Sequence, residues 1–281
     1  MGRRVAIIGA GGKMGARITN NLLKSDHALL LAEKSEASCA RLAERDLHVI
    51  PSAKAVAEAE IIVFAVPDAL MRVVTAELIP FAPSGATVIM LDPAAAVANE
   101  VALRDDLQYV VCHPCHPPLF GEQHSEEARN DHFGGIAATQ DIVIALMQGT
   151  EEAFAEAHEL CQLMFAPVAR VHRITVDQMA ILEPAMAEVV VAAAAVLMRE
   201  ALEEAVKAGA PREAATAFIL GHAQIPLAIA FGAIDSPFSD AAKVAINYGQ
   251  KMIFRPDWRQ VFEPHHLRTV IHQMLHPEDE Q

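Results

Sequence analysis

Cysteine is scarce, basic charge is in deficit, and no apolar run is long enough to span a bilayer. Four cysteines, Cys39, Cys112, Cys115 and Cys161, are too few for a disulfide scaffold. The chain opens on a strand-like run rather than a signal peptide, so a reducing cytoplasm is the expected location. Lys and Arg number 22 against 36 Asp and Glu, a formal charge of −14. The deficit is even, with 14 basic and 22 acidic residues up to position 173 and 8 and 14 after it. No basic face is left for nucleic acid or anionic lipid, and neither is expected as a partner. The longest apolar run, Val189 to Met198, covers about half of the roughly 20 residues a membrane helix needs and reads as a buried core helix. Against these absences, 53% of the residues are hydrophobic, which excludes a disordered chain and implies one or two globular domains.

The first half alternates short β-branched runs with amphipathic stretches, the pattern of a βαβ series. Strands are expected at Val5–Ile8, Ala28–Ala32, Ile61–Val66, Thr87–Leu91, Tyr109–Cys112, Ile142–Met147 and Val168–Ile174, with a helix over Glu151–Phe165. From Asp177 on, Ala, Met and Leu recur at helical spacing, and Gly209-Ala210-Pro211 ends one helix and starts the next. The expected fold is therefore α/β: a doubly wound parallel sheet over 1–174, then an all-helical domain over 175–281. The first helix of that domain, Asp177 to Ala208, is nearly apolar through its middle and needs cover on all sides. A second subunit packing there is expected, a self-sufficient bundle being the alternative.

Gly9-Ala10-Gly11-Gly12-Lys13-Met14-Gly15 follows the first strand and leads into a helix. Glycines let the backbone turn sharply and approach a pyrophosphate, whose charge the free N–H groups and dipole of the helix start favour. Glu33 closes the second strand, 18 residues after Gly15. There a carboxylate accepts hydrogen bonds from ribose hydroxyls and repels a 2′-phosphate, which favours NAD over NADP, although Lys34 next door partly offsets it. Pro67 and Asp68 follow one strand and Asp92 another, at the carboxyl edge where open sheets bind ligands. Each is a candidate coenzyme contact or an ordinary proline turn.

Cys112-His113-Pro114-Cys115-His116-Pro117-Pro118 follows a further strand. A structural zinc would need a second Cys-x-x-Cys pair, which the sequence lacks. A thioredoxin-like motif would need a helix where proline stands. One or both histidines facing the nicotinamide is the better reading, to move a proton or to offer a neutral imidazole to a divalent cation. His113, nearer the strand, is the candidate metal ligand, and Cys112 should point into the sheet. Glu183 lies in the apolar context Met179 to Met186, where a charge is costly unless paired or metal-bound, and Pro184 disturbs the helix beside it.

These three segments, 9–15, 112–121 and 180–186, resemble those of the 6-phosphogluconate and β-hydroxyacid dehydrogenase superfamily, in particular its branch of D-apionate oxidoisomerases, over almost the whole chain. The resemblance implies a Rossmann domain, a helical dimer-forming domain, and NAD-dependent oxidation of a sugar acid with a skeletal shift giving 3-oxo-isoapionate. Such a shift suits a divalent cation, zinc or magnesium, held by His113 and Glu183, with His116 handling protons. Other β-hydroxyacid dehydrogenases carry a catalytic lysine near the start of the interdomain helix, and Asp177–Met186 has none. Lys243 and Asn247 instead share one face of a later helix, where they could bind a substrate carboxylate or simply be solvated. Two rival functions are a metal-free 3-hydroxyacid dehydrogenase with His116 as base, and an NAD-sensing regulator without catalysis.

Overall fold

The computed structural model describes residues 2–280. In chain order the elements are β1 (Arg4–Ile8), α1 (Lys13–Leu22), β2 (Ala28–Ala32), α2 (Glu36–Ala43), α3 (Ser52–Glu58), β3 (Ile61–Phe64), α4 (Asp68–Leu78), β4 (Thr87–Met90), α5 (Ala94–Val97), β5 (Gln108–Pro114), α6 (Glu126–Asn130), β6 (Gln140–Gln148), α7 (Glu151–Met164) and β7 (Val168–Arg173). The helices α8 (Val176–Lys207), α9 (Arg212–Ala230), α10 (Asp240–Ile253) and α11 (Pro264–Leu275) follow. Residues up to Ala180, together with those from Arg268 on, form one compact unit, and Ile181–Leu267 forms a second. The sequence places the division after residue 174 and assigns everything beyond it to the helical half. In the structure the chain end belongs to the first unit, where Ile271 and Leu275 are buried and His276 Nε2 lies 2.7 Å from Glu100 Oε1.

One seven-stranded sheet, ordered β2-β1-β3-β4-β5-β6-β7, organises the first unit. The uninterrupted apolar runs Val5–Ile8 and Ile61–Phe64 are buried throughout, as strands covered on both faces must be. β1 to β5 are mutually parallel, with Val5 opposite Leu29 on one side and Ile61 on the other. β6 runs antiparallel to β5, and β7 is parallel to β6, so the expected parallel sheet carries a reversed pair at one edge. β5 also extends beyond the expected Cys112 to Pro114, because its pairing with β6 continues through His113 opposite Val143 and Pro114 opposite Ile142. α1 and α7 pack together on one face. Ile18 and Leu22 of α1 share a core with Phe154, Leu160 and Cys161 of α7, and each large apolar side chain there contributes about 1.5–3 kcal/mol. The outer strand β7 carries Arg170, His172 and Arg173, paired with Asp141 and Glu151, and this charge discourages edge-to-edge association.

α8 is wound with a wider i→i+5 turn over Ile181–Ala192, around Pro184, whose missing N–H cannot close an ordinary turn. In the second unit α9 buries only Ala228 and α10 buries no residue among those described. Phe218, Leu220, Ile225, Phe231, Val244 and Met252 are all more than half exposed. The run 189–198, expected to be core, is likewise uncovered within one chain, with Val191 60% and Val196 49% exposed. By length and composition α8 and α9 could each cross a membrane, with mean hydropathies of 1.9 and 1.2.

Candidate coenzyme and catalytic site

The glycine loop joins β1 to α1 as expected. Gly9 has a φ of +86°, open to glycine, and its N–H donates to Ala32 O at 2.9 Å. A Cβ on Gly15 would stand 2.0 Å from Gly9 O, so only glycine lets α1 approach the loop this closely. Gly12 caps α1 without a side-chain hydrogen bond and without an acidic residue in the first turn, whereas Ser35, Ser125 and Thr150 cap α2, α6 and α7. The first N–H groups of α1 and their partial positive charge are therefore left for an anion. Met14 packs against the core, and Lys13 is exposed.

Glu33 ends β2 as expected, half-buried, and it does more than the sequence shows. Its Oε2 accepts from Gly11 N at 2.9 Å, and Oε1 accepts from Lys34 N at 2.8 Å and Ser35 N at 2.9 Å. The carboxylate thus pins the glycine loop to the end of β2. Lys34, expected to offset that charge, is turned to Glu77 at 3.0 Å. Pro67 precedes α4, and Asp68 opens its first turn. Asp92 Oδ1 accepts from Ala94 N at 2.8 Å at the start of α5, while Oδ2 lies 3.8 Å from His113 Nδ1.

Because β5 runs on to Pro114, Cys112 and His113 point to opposite faces of the sheet. Cys112 is buried beside Cys161; burial and the hydrogen bond with that thiol push its own thiol well above the usual range, so it is not a reactive sulfur. His113 Nδ1 is 2.8 Å from Leu91 O, and His116 Nδ1 is 2.9 Å from Phe133 O. A carbonyl oxygen only accepts, so both neutral imidazoles carry their hydrogen on Nδ1 and a lone pair on Nε2. The two ring centroids are 6.1 Å apart. Among the described residues no group of three or more His, Cys, Asp or Glu side chains is arranged to hold a metal ion.

The loop from Cys115 to Thr139 brings residues that the sequence did not single out. Asp131 Oδ2 accepts from the N–H groups of Ile136, Ala137 and Ala138 at 3.0, 2.9 and 3.2 Å. Burial alone would raise its pKa, but these donors and nearby Arg17 hold it below the ordinary aspartate value. Lys13 Nζ sits 3.1 Å from the centroid of the Phe133 ring. The pair Gly134-Gly135 marks a turn in the sequence, but nothing there tells that Phe133 beside it meets a lysine 120 positions earlier. Of the remaining candidates, Glu183 is half-buried on the widened stretch of α8 in the second unit, less enclosed than its apolar context suggests. Lys243, on α10, is 57% exposed and paired with Asp240 at 3.0 Å.

Residues 121–275 match the phosphogluconate dehydrogenase (decarboxylating) C-terminal family, and residues 4–95 match the coenzyme F420-dependent NADP oxidoreductase family. A D-apionate oxidoisomerase of Rhizobium rhizogenes is 43% identical, covering 96% of this chain and 98% of its own. One of Blautia hydrogenotrophica is also 43% identical, over 99% and 98%. A semialdehyde dehydrogenase NAD-binding protein of Cupriavidus necator, crystallised with calcium and NAD, superposes with a TM-score of 0.94 at 42% identity, covering 98% of this chain and all of that one. The chain belongs to the D-apionate oxidoisomerase branch of the 6-phosphogluconate/β-hydroxyacid dehydrogenase superfamily, a family of NAD-dependent oxidoreductases.

Proposed function

We propose that this protein oxidises D-apionate with NAD and shifts its carbon skeleton to give 3-oxo-isoapionate. The observation that carries this reading is the pair of imidazoles at the carboxyl edge of β5, each with Nδ1 on a backbone carbonyl, in the same unit as an uncapped glycine loop. The loop fits the coenzyme: the open start of α1 offers the N–H groups of Lys13 and Met14 to a pyrophosphate, Gly11 and Gly12 are assigned to the loop that lines it, Gly9 and Gly15 hold the turn closed, and Glu33 is assigned to the ribose hydroxyls. Pro67, Asp68 and Asp92 are assigned to the same edge. Bound there, NAD supplies the hydride acceptor. His116 Nε2 then takes the proton of the substrate hydroxyl, and Nδ1 keeps the ring oriented through Phe133 O. Oxidation precedes the shift, because an acyloin-type migration needs a carbonyl beside a carbinol. Glu183 is assigned to the substrate, and Lys243 to its carboxylate.

The expected zinc or magnesium fits less well. Catalytic zinc usually takes three protein ligands where only His113 and Glu183 are assigned, and magnesium, which keeps several waters, favours oxygen ligands over an imidazole, so no step is derived through a cation. The apolar faces of α8, α9 and α10 we assign to a second copy of this chain, since they bury almost nothing in one. Light scattering should then give twice the chain mass without detergent, and a monomer that needs detergent would refute the dimer.

The test of function is incubation with D-apionate and NAD, following NADH absorbance and the product's carbon NMR spectrum. NADH together with a rearranged skeleton is expected. NADH with an unrearranged ketone would leave a simple dehydrogenase, and no NADH would end the proposal.

A further inference from the structure

We propose that Phe133 is a positioning residue that couples the glycine loop to the His116 imidazole. Its ring faces two cations of the coenzyme-loop helix: Lys13 Nζ lies 3.1 Å from the ring centroid and Arg17 Cζ 5.5 Å from it. Its backbone carbonyl accepts from His116 Nδ1 at 2.9 Å, and the imidazole stands edge-on to the ring, 5.8 Å between centroids at 87°. A single residue therefore touches the loop assigned to the pyrophosphate and the base assigned to the substrate proton.

Core packing does not explain this placement. Phe133 is 42% exposed, so burial alone does not fix its ring, and the two cations add to it. The backbone on either side is fixed independently. Asp131 gathers three N–H groups beyond the turn, Gly134 and Gly135 take φ of +71° and +79°, and Arg17 Nε donates to Gly134 O at 3.2 Å. His116 itself holds a φ of +61°, a backbone state histidine seldom adopts, so its ring direction depends on this carbonyl. An anionic pyrophosphate at the start of α1 competes for the ammonium of Lys13 that now caps the Phe133 ring. Arrival of the coenzyme is thereby transmitted to the residue whose carbonyl sets the base.

This inference rests on the reading of His116 as the proton acceptor, and the test separates the two. The full-length enzyme, F133L, F133Y and H116N are compared by steady-state kinetics with D-apionate and NAD across pH, alongside their melting temperatures. F133L should lose about 10- to 100-fold in kcat, with a smaller change in KM and a displaced acid limb of kcat/KM. F133Y, which keeps the ring, should restore kcat and the limb, which guards against a misfolded F133L. If F133L loses kcat while its acid limb stays put, Phe133 is merely structural and the proposal falls. An F133L that matches wild type while H116N is inactive also overturns it and leaves the reading of His116 standing. An H116N with wild-type activity removes that reading and the coupling with it.

Discussion

Gly15→Ala and Gly12→Ala should separate the folding of the glycine loop from its use. A Cβ at Gly15 would meet Gly9 O at 2.0 Å and Gly9 C at 2.9 Å, both backbone, so no side chain can yield and α1 must move. Overpacking of this kind costs about 1–3 kcal/mol. Backbone against backbone points to the upper end, which at about 2–4 °C per kcal/mol lowers Tm by about 6–12 °C. At Gly12 the nearest atom to a new Cβ is Gly9 O at 3.3 Å, a tight contact rather than a clash. Gly12 is also the N-cap of α1, where alanine is worse than glycine by about 1 kcal/mol, so Tm falls only by about 2–4 °C. Yet Gly12 is assigned to the loop that lines the pyrophosphate, so the added methyl should hinder its approach and the Kd for NADH should rise at least about tenfold, roughly 1.4 kcal/mol. Thermal unfolding with and without NADH, paired with a fluorescence titration, reads both quantities. A G12A protein that binds NADH as tightly as wild type, or a G15A protein that melts with it, would refute this reasoning.

Three further outcomes are expected. Glu33→Gln keeps an acceptor for Gly11 N but removes the charge facing a 2′-phosphate, so the ratio of kcat/KM for NADP over NAD should rise about tenfold, the effect of roughly 1.4 kcal/mol; an unchanged ratio would place the coenzyme's ribose elsewhere. Asp131→Asn should lower Tm at neutral pH by removing a carboxylate that accepts three backbone N–H bonds, worth about 1.5–3 kcal/mol. Because the folded pKa of Asp131 is depressed, its stabilisation is present above the ordinary aspartate value and lost as pH falls through the lower one, so the two melting curves should converge in acid. Exhaustive chelation followed by the NADH assay decides on the cation: retained turnover excludes a required metal, and activity restored by added zinc or magnesium demonstrates one.

The sequence was most informative where local chemistry and tertiary structure agree. The central strands were visible because Val5–Ile8, Ile61–Phe64 and Val88–Met90 are unbroken apolar runs that only a doubly covered sheet can bury. Strand direction was not visible, since the alternation along β6 reads the same forwards and backwards, and its antiparallel pairing with β5 extends that strand through His113. The place of the glycine loop between β1 and α1 was legible. The dependence of Gly11 on Glu33 and of His116 on Phe133 was not, because each joins distant positions through a backbone atom, which leaves no mark on residue type. Helical spacing likewise placed the last segment in the helical half, but did not show that Ile271 and Leu275 are buried in the first unit.

That last feature sets an order of events during synthesis. The sheet-bearing unit is discontinuous in sequence, and Ile271 and Leu275 fill it only after Ile181–Leu267 has been synthesised. The helical unit, Ile181–Leu267, is synthesised between the two segments of the sheet-bearing unit, so the strands complete their packing only after those helices have been made. Any truncation that removes this segment should therefore trouble the strands made first rather than the helices made after them.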